Sequence, residues 1–418
     1  MIDGEHYAPV VRDALAELPY DVVGAFLAGG TEKLRGGDDY GVLLVDDLEA
    51  GLAELEPELV VDLSDEPVLG PVERFRLASR VLAAGLPYVG PDFELRPPEL
   101  APFPLPSLGI VGTGKRIGKT AVAGYAARLL ARDRDVVVVA MGRGGPAQPE
   151  VAEARPTLER LLELSREGRH AASDYLEDAA LAGVVTIGCR RCGGGLAGAV
   201  GSSNVAAGAE LAVARAPDLV LFEGSGAALP PIETSRRLLV AGAHQPPDIL
   251  TGYLNAYRIL VSDLVVLTMA EEGSAWREAR TAIAGLTEAP VVPVVLRPRP
   301  VEPVAGRRIA FFSTAPEQAL PRLSVHLAEA HGAEVVHASG SLARRDALIE
   351  ELEGLDADAF VVEIKAAAID VVAEAAAARG IPVVFADNEV LPLPGEGDLD
   401  AELEALARAA AADRVLQS

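Results

Sequence analysis

Gly112-Thr113-Gly114-Lys115-Arg116-Ile117-Gly118-Lys119-Thr120 follows an apolar run over 108–111 and leads into a helical pattern from about 119 to 131. A strand, a glycine-rich turn and a helix start, in that order, aim backbone N–H groups and the positive end of a helix dipole at one point. Such a point binds phosphate. In that frame Lys119 reaches the outer phosphates of a nucleotide and the Thr120 hydroxyl ligates magnesium. The strict pattern G-x-x-x-x-G-K-[ST] wants glycine at 113 and finds Thr113, with Gly112 one place earlier.

Further all-apolar runs follow at 136–140, 184–187, 219–222, 264–267 and 291–296. Runs without polar alternation suit strands covered on both faces, so the middle of the chain predicts a mostly parallel sheet. One run ends in Glu223 and a flexible Gly224-Ser225-Gly226 turn. Magnesium favours carboxylate and hydroxyl oxygens, so Glu223 is expected to share a metal with Thr120.

Two loops bring arginine among glycines: Met141-Gly142-Arg143-Gly144-Gly145-Pro146, and Gly188-Cys189-Arg190-Arg191-Cys192-Gly193-Gly194-Gly195. Ligands of open α/β sheets bind beyond the carboxyl ends of the strands, where both loops should lie. Glycine lets a backbone approach a ligand, and guanidinium grips phosphate through paired hydrogen bonds. Arg143, Arg190 and Arg191 are therefore candidate contacts for a polyanionic substrate; salt bridging to surplus carboxylates is the bland alternative. Cys189 and Cys192 lack the second pair that a structural zinc site needs, and loop packing is the simpler reading. Asp3 and His6 at an expected strand end are candidate substrate contacts, although a lone early histidine is more often structural. Gly29 to Lys33, Glu363, Lys365 and Ala386-Asp387-Asn388 also fall at expected strand ends, as site walls or ordinary turns.

Prolines cluster at 97–106 and again at 298–303. Proline fixes φ and lacks a donor, so both clusters predict breaks, giving segments 1–104, 105–302 and 303–418. In the first, runs at 22–27, 42–45 and 59–63 alternate with helical patterns at 8–18 and 74–84. In the third, runs at 308–312, 334–337, 359–364 and 382–386 alternate with helices at 343–355 and 369–379, before an alanine-rich helix from 399 to 416. Both flanking segments therefore predict α/β domains with crossover helices.

Lys and Arg total 37 against 62 Asp and Glu, a net charge of −25, which argues against nucleic acid or an anionic membrane as partner. An anionic substrate must then be held by local arginines. Two cysteines, no signal-like N-terminus and no long apolar span predict a soluble, cytoplasmic protein.

The phosphate loop resembles the G-T-x-x-x-x-G-K-T loop of dethiobiotin synthetase and the MinD-like branch. Lys115 stands one place from the MinD signature lysine, whose position is Gly114 here. Across essentially the whole chain, Ile2 to Tyr7, Gly29 to Lys33, 112–120, 141–146, 188–195 and Glu363-Ile364-Lys365 together resemble the cyclic 2,3-diphosphoglycerate synthetases. That resemblance implies an ATP- and Mg2+-dependent enzyme that closes 2,3-bisphosphoglycerate into a phosphoanhydride ring, releasing ADP and phosphate. It also implies a central P-loop domain between Rossmann-like flanks, and a homodimer. Lys119, Lys115, Arg190 and Arg191 would then be catalytic. Two rivals share the loop: a carboxylate-activating ligase of dethiobiotin or cobyrinate type, and a MinD-like regulatory ATPase.

Overall fold

Every residue of the strand Ser107–Gly112 is buried, as are those of its neighbours Val136–Gly142, Leu219–Glu223 and Leu264–Thr268. Valine and leucine dominate these runs because helices cover both faces. The structure, a computed structural model, describes residues 1–30, 39–66, 68–153 and 155–415, except the side chains of 414 and 415. Thr31, Glu32 and Lys33 lie outside the described residues.

The chain forms two compact units. The larger comprises 100–244, 262–280 and 289–418, and is built on a 13-stranded sheet. From one edge the order runs Ser202–Ser203, Val185–Cys192, Val136–Gly142, Leu219–Glu223, Ser107–Gly112, Arg236–Gly242, Leu264–Thr268, Val291–Pro300, Val383–Pro392, Ala359–Glu363, Arg308–Phe312, Glu334–Ser339; Glu150–Ala152 also pairs with Val185–Cys192. Leu219–Glu223 inserts between the phosphate-loop strand and Val136–Gly142, parallel to both. The chain leaves Ser107–Gly112 in one direction and later continues in the other, which makes this the switch point where a crevice opens.

The strand Arg236–Gly242, on the other side of Ser107–Gly112, escaped the sequence reading because two arginines and a glycine frame a short apolar core. The prolines at 298–303 also misled. Pro298 and Pro300 lie inside the strand Val291–Pro300, antiparallel to Val383–Pro392. Val301 donates its N–H to Phe385 O (2.9 Å), so the alternation of an antiparallel ladder turns the nitrogens of 298 and 300 away from that partner. On the other side pairing with Leu264–Thr268 ends at Pro293. No ladder bond is lost at 298 or 300. Ala386, Asp387 and Asn388, expected at a strand end, sit within this same partner strand. Buried Asp387 holds Arg128 (2.6 Å) and Arg299 (2.7 Å), tying the helix Lys119–Leu130 to both strands.

The helix Leu399–Val415 buries Leu399, Leu403, Leu406, Ala407 and Ala410 in the core it shares with the phosphate-loop helix. The helix Glu374–Arg379 ends at Gly380 with φ 67°, a left-handed cap.

The smaller unit comprises 1–99, 245–261 and 281–288. Helices Ala8–Glu17, Leu48–Leu55 and Pro71–Ala83 surround short strands. Ala25–Phe26 pairs in parallel with Leu44–Val45, and Val60–Val61 with Tyr88–Val89. Among the described residues no helix is long and apolar enough to cross a membrane.

Candidate active site

The loop 112–120 leaves its strand at the switch point and enters the helix Lys119–Leu130 through Gly118, whose φ of 77° is in the left-handed region. That conformation calls for glycine, and a Cβ there would also press on the Leu296 side chain, 2.4 Å from its Cδ1. Neighbouring strands brace the loop: Thr113 N–H donates to Val240 O (3.1 Å), and the Thr268 hydroxyl lies 2.6 Å from Ile117 O.

Lys119 does not point at open solvent. Its Nζ lies 2.5 Å from Glu223 Oε1, and Glu223 is 1% exposed. The other oxygen, Glu223 Oε2, and both oxygens of Asp178 receive no hydrogen bond from another group. The charge of Glu223 therefore acts on the neighbouring Asp178 carboxyl without a hydrogen bond that meets ordinary geometry between them.

Asp178 comes from the helix Asp174–Ala182, together with Asp174 and Glu177. Positions i, i+3 and i+4 share one helical face. Burial, then the charge of Glu223, raises Asp174 and lifts Asp178 well above the ordinary carboxylate range. Burial pushes Glu177 up to about 8, although Lys365 Nζ is 3.4 Å from it. Lys365 stays charged above the ordinary lysine value, chiefly through Glu177. Sequence reasoning missed these three acids. Acids in a first helical turn usually mean a solvated face, and the one usable signal was their shared i, i+3, i+4 spacing.

The arginine loops meet beside the turn that follows Glu223. A point one bond from the Gly226 backbone, where a Cβ would stand, lies 3.0 Å from Arg143 Nη2, 3.9 Å from Arg191 Nη2 and 3.9 Å from Lys115 Cγ. Arg191 donates to Gly193 O (2.7 Å) and Ser225 O (2.8 Å), while its buried Nε has no partner. Burial, then the charge of Arg143, lowers the Arg191 pKa. Among the described residues neither arginine pairs with a carboxylate, in a chain with 62 acidic residues. A cavity of about 510 Å3 opens here, lined by Arg143, Arg191 and Gly193 to Gly195. Gly145 allows the loops to interlock, since a Cβ on it would stand 2.0 Å from Cys189 O.

Arg190 is not part of this convergence. Successive residues of a strand face opposite ways, and on Val185–Cys192 Arg190 is exposed while its backbone N–H is held by Asn204 Oδ1 (2.7 Å). The same geometry separates Cys189, buried against Gly208 with its thiol pushed up to about 12 by burial, from exposed Cys192. Cys189 belongs to the core, in keeping with the packing reading.

Asp3 and His6 belong to the smaller unit. Burial would raise the Asp3 carboxyl, but donors from Asp65 N–H (2.9 Å), His6 and Glu5 N–H (3.0 Å) outweigh it and hold it low. Asp3 Oδ1 also fixes His6 Nδ1 (2.9 Å). Glu363, at the end of the strand Ala359–Glu363, accepts from Thr314 N–H (3.1 Å).

Family models describe three consecutive parts of the chain: the N-terminal domain of cyclic 2,3-diphosphoglycerate synthetase over 1–96, its P-loop domain over 107–292 and its C-terminal domain over 300–389. Proteins named cyclic 2,3-diphosphoglycerate synthetase are similar end to end. That of Rubrobacter xylanophilus is 52% identical, covering 99% of this chain and 98% of its own. That of Thermococcus kodakarensis is 43% identical over 95% of each, and that of Methanothermus fervidus 40% identical over 93% and 91%. A solved structure of LpxK from Aquifex aeolicus in complex with ATP aligns with 74% of this chain and 90% of its own at 13% identity and a TM-score of 0.43, too slight a likeness to bear on function.

Proposed function

The chain belongs to the cyclic 2,3-diphosphoglycerate synthetase family, and from that membership we propose that it uses ATP to close 2,3-bisphosphoglycerate into its cyclic phosphoanhydride. The observation that carries the reading is the meeting of Arg143, Arg191 and Lys115 at Gly226, directly after the carboxylate that holds Lys119. An ATP loop and an unneutralised guanidinium pair thereby share one turn.

Binding begins as an exchange. The triphosphate draws Lys119 away from Glu223, while the backbone N–H groups of 114–120 take the phosphate oxygens. Glu223, buried and with Oε2 already lacking a hydrogen-bond partner, then gives up the ammonium that Oε1 held. The residues fit magnesium on that ground: Thr120 and Glu223 would hold it, and it would supply charge neutralisation at the β and γ oxygens. Lys119 and Lys115 stabilise the γ-phosphoryl group as it passes to an oxygen of one substrate phosphate, and ADP leaves. An oxygen of the second phosphate attacks the phosphorus of the first. The O–P bond to the transferred group breaks, inorganic phosphate departs, and the ring is closed. Arg143 and Arg191 hold the two phosphates together for that step, a proximity effect worth roughly 7 kcal/mol or more when well oriented.

The same reading keeps Arg190 as a candidate at the rim, and Asp3 and His6 as candidate substrate contacts, with Asp3 orienting the ring. It takes 105–302 as the catalytic domain, with 1–104 and 303–418 as Rossmann-like flanks, and the enzyme as a cytoplasmic homodimer acting on a small molecule. Phosphorus NMR of the full chain with ATP, Mg2+ and 2,3-bisphosphoglycerate should show the phosphoanhydride resonance growing with ADP and phosphate. ATP turnover that ignores the bisphosphate but responds to diaminononanoate would put the ligase rival in its place.

A further inference from the structure

The helix Leu320–His331 lies against the strand Val383–Pro392 and brings two imidazoles to one carboxylate. One ligand atom each from His326, His331 and Glu389 lies within 4.8 Å of the others. His326 Nε2 stands 3.7 Å from Glu389 Oε2, too far for a hydrogen bond. The two rings meet edge to face with centroids 5.4 Å apart. Nε2 of His326 and Nε2 of His331 are both shielded from solvent and have no hydrogen-bond partner.

Two buried, unpartnered ring nitrogens beside a carboxylate are an unusual thing for a fold to retain, because each forfeits its hydration without compensation. Among the described residues no hydrogen bond engages the Glu389 carboxylate either. Glu389 sits opposite Arg297 in the ladder, but Arg297 gives both ends of its fork to Glu271 at 2.8 Å. Burial holds His326 below the ordinary imidazole value, which keeps it in the neutral form that ligates metals.

We propose that His326, His331 and Glu389 form a binding site for a borderline dication of the zinc class, with a fourth position open to water. Metal–nitrogen and metal–oxygen bonds of about 2.0–2.2 Å in a tetrahedron place donor atoms roughly 3.4 Å apart. The 3.7 Å spacing of His326 and Glu389 is already close to that, and small side-chain rotations bring in the third donor. Magnesium suits this set poorly, since it favours oxygen ligands and octahedral geometry. A cation here staples the end of Leu320–His331 to the strand and satisfies both orphan nitrogens at once. The site is independent of the cyclisation chemistry.

The test uses the untagged full chain, stripped with chelator and held in excess Mg2+ so that carboxylate sites are masked. Zinc titrated by calorimetry should bind stoichiometrically and raise the thermal midpoint, and cobalt in its place should give the intense visible band of a tetrahedral site. His326→Gln with His331→Gln, and separately Glu389→Gln, should lose the band and the thermal shift while ATP turnover with the bisphosphate is retained. The Glu389→Gln arm keeps the test informative if the double histidine variant folds poorly. No band in the native chain, or a band that survives Glu389→Gln unchanged, overturns the site.

Discussion

The phosphate loop and the arginine cavity sit on either side of one turn, yet they handle charge in opposite ways. At the loop the cation is answered within the protein: Lys119 is locked to Glu223, with Asp178, Asp174 and Glu177 behind it. At the cavity Arg143 and Arg191 lie side by side, and Arg191 leans on the backbone carbonyls of Gly193 and Ser225 rather than on a carboxylate. The first region must be opened by its ligand, and the second waits for one. Backbone acceptors hold the Arg191 fork in place without neutralising its charge.

Breaking the lock gives the largest effect. Lys119→Ala should lower kcat at least about 10^3-fold, since it removes the cation from the transferring phosphoryl group. It should also destabilise the ligand-free protein by about 3 kcal/mol, because Glu223 is left buried beside other acids. Single-turnover kinetics and urea unfolding check the two parts. Turnover within tenfold of the native rate would remove Lys119 from the chemistry.

On the cavity side, Arg143→Ala with Arg191→Ala should raise the KM for the bisphosphate by about 100-fold, from two charged hydrogen-bonding groups lost, and leave the KM for ATP nearly unchanged. Arg190→Ala, exposed at the rim, should raise the KM for the bisphosphate by only about threefold, as one solvated contact would, and leave that for ATP unchanged. An equal rise in the ATP KM would merge two regions that the geometry separates.

The effect with least bearing on turnover probes the acid surplus through pH. Glu177 has an ordinary value of 4.5 and is pushed up to about 8 in the fold, so the native state binds its proton more tightly than the unfolded state does. Its favourable contribution is complete below about 4.5 and lost as pH rises through about 8. Across that window the native chain should lose up to about 1.4 kcal/mol per pH unit from this group, and Glu177→Gln should flatten the slope. Unfolding midpoints measured at several pH values read the difference; parallel profiles would show that Lys365 keeps Glu177 ionised.

Much of the loop side was legible in residue order. A buried apolar run, a glycine turn and Gly118-Lys119-Thr120 encode a strand, an anion cradle and a helix start without reference to anything distant, and Glu223 at a strand end carries its own signal. The acids behind it were not legible, because Asp174, Glu177 and Asp178 become remarkable only once burial is known. The prolines failed for a related reason: Pro298 and Pro300 break a strand only if both edges are paired, and edge pairing is not local information.

The sequence by itself determined the phosphate loop, the parallel blocks around it and the presence of arginines amid glycines, since local conformation and hydrophobic period depend on neighbours in the chain. Tertiary structure alone decided which arginines meet, that Lys119 rests on Glu223, and that four carboxyls crowd two lysines at one spot. Electrostatic meaning comes from distance and burial, and both are set by strand order and by the face each side chain takes, which the linear order of residues does not contain.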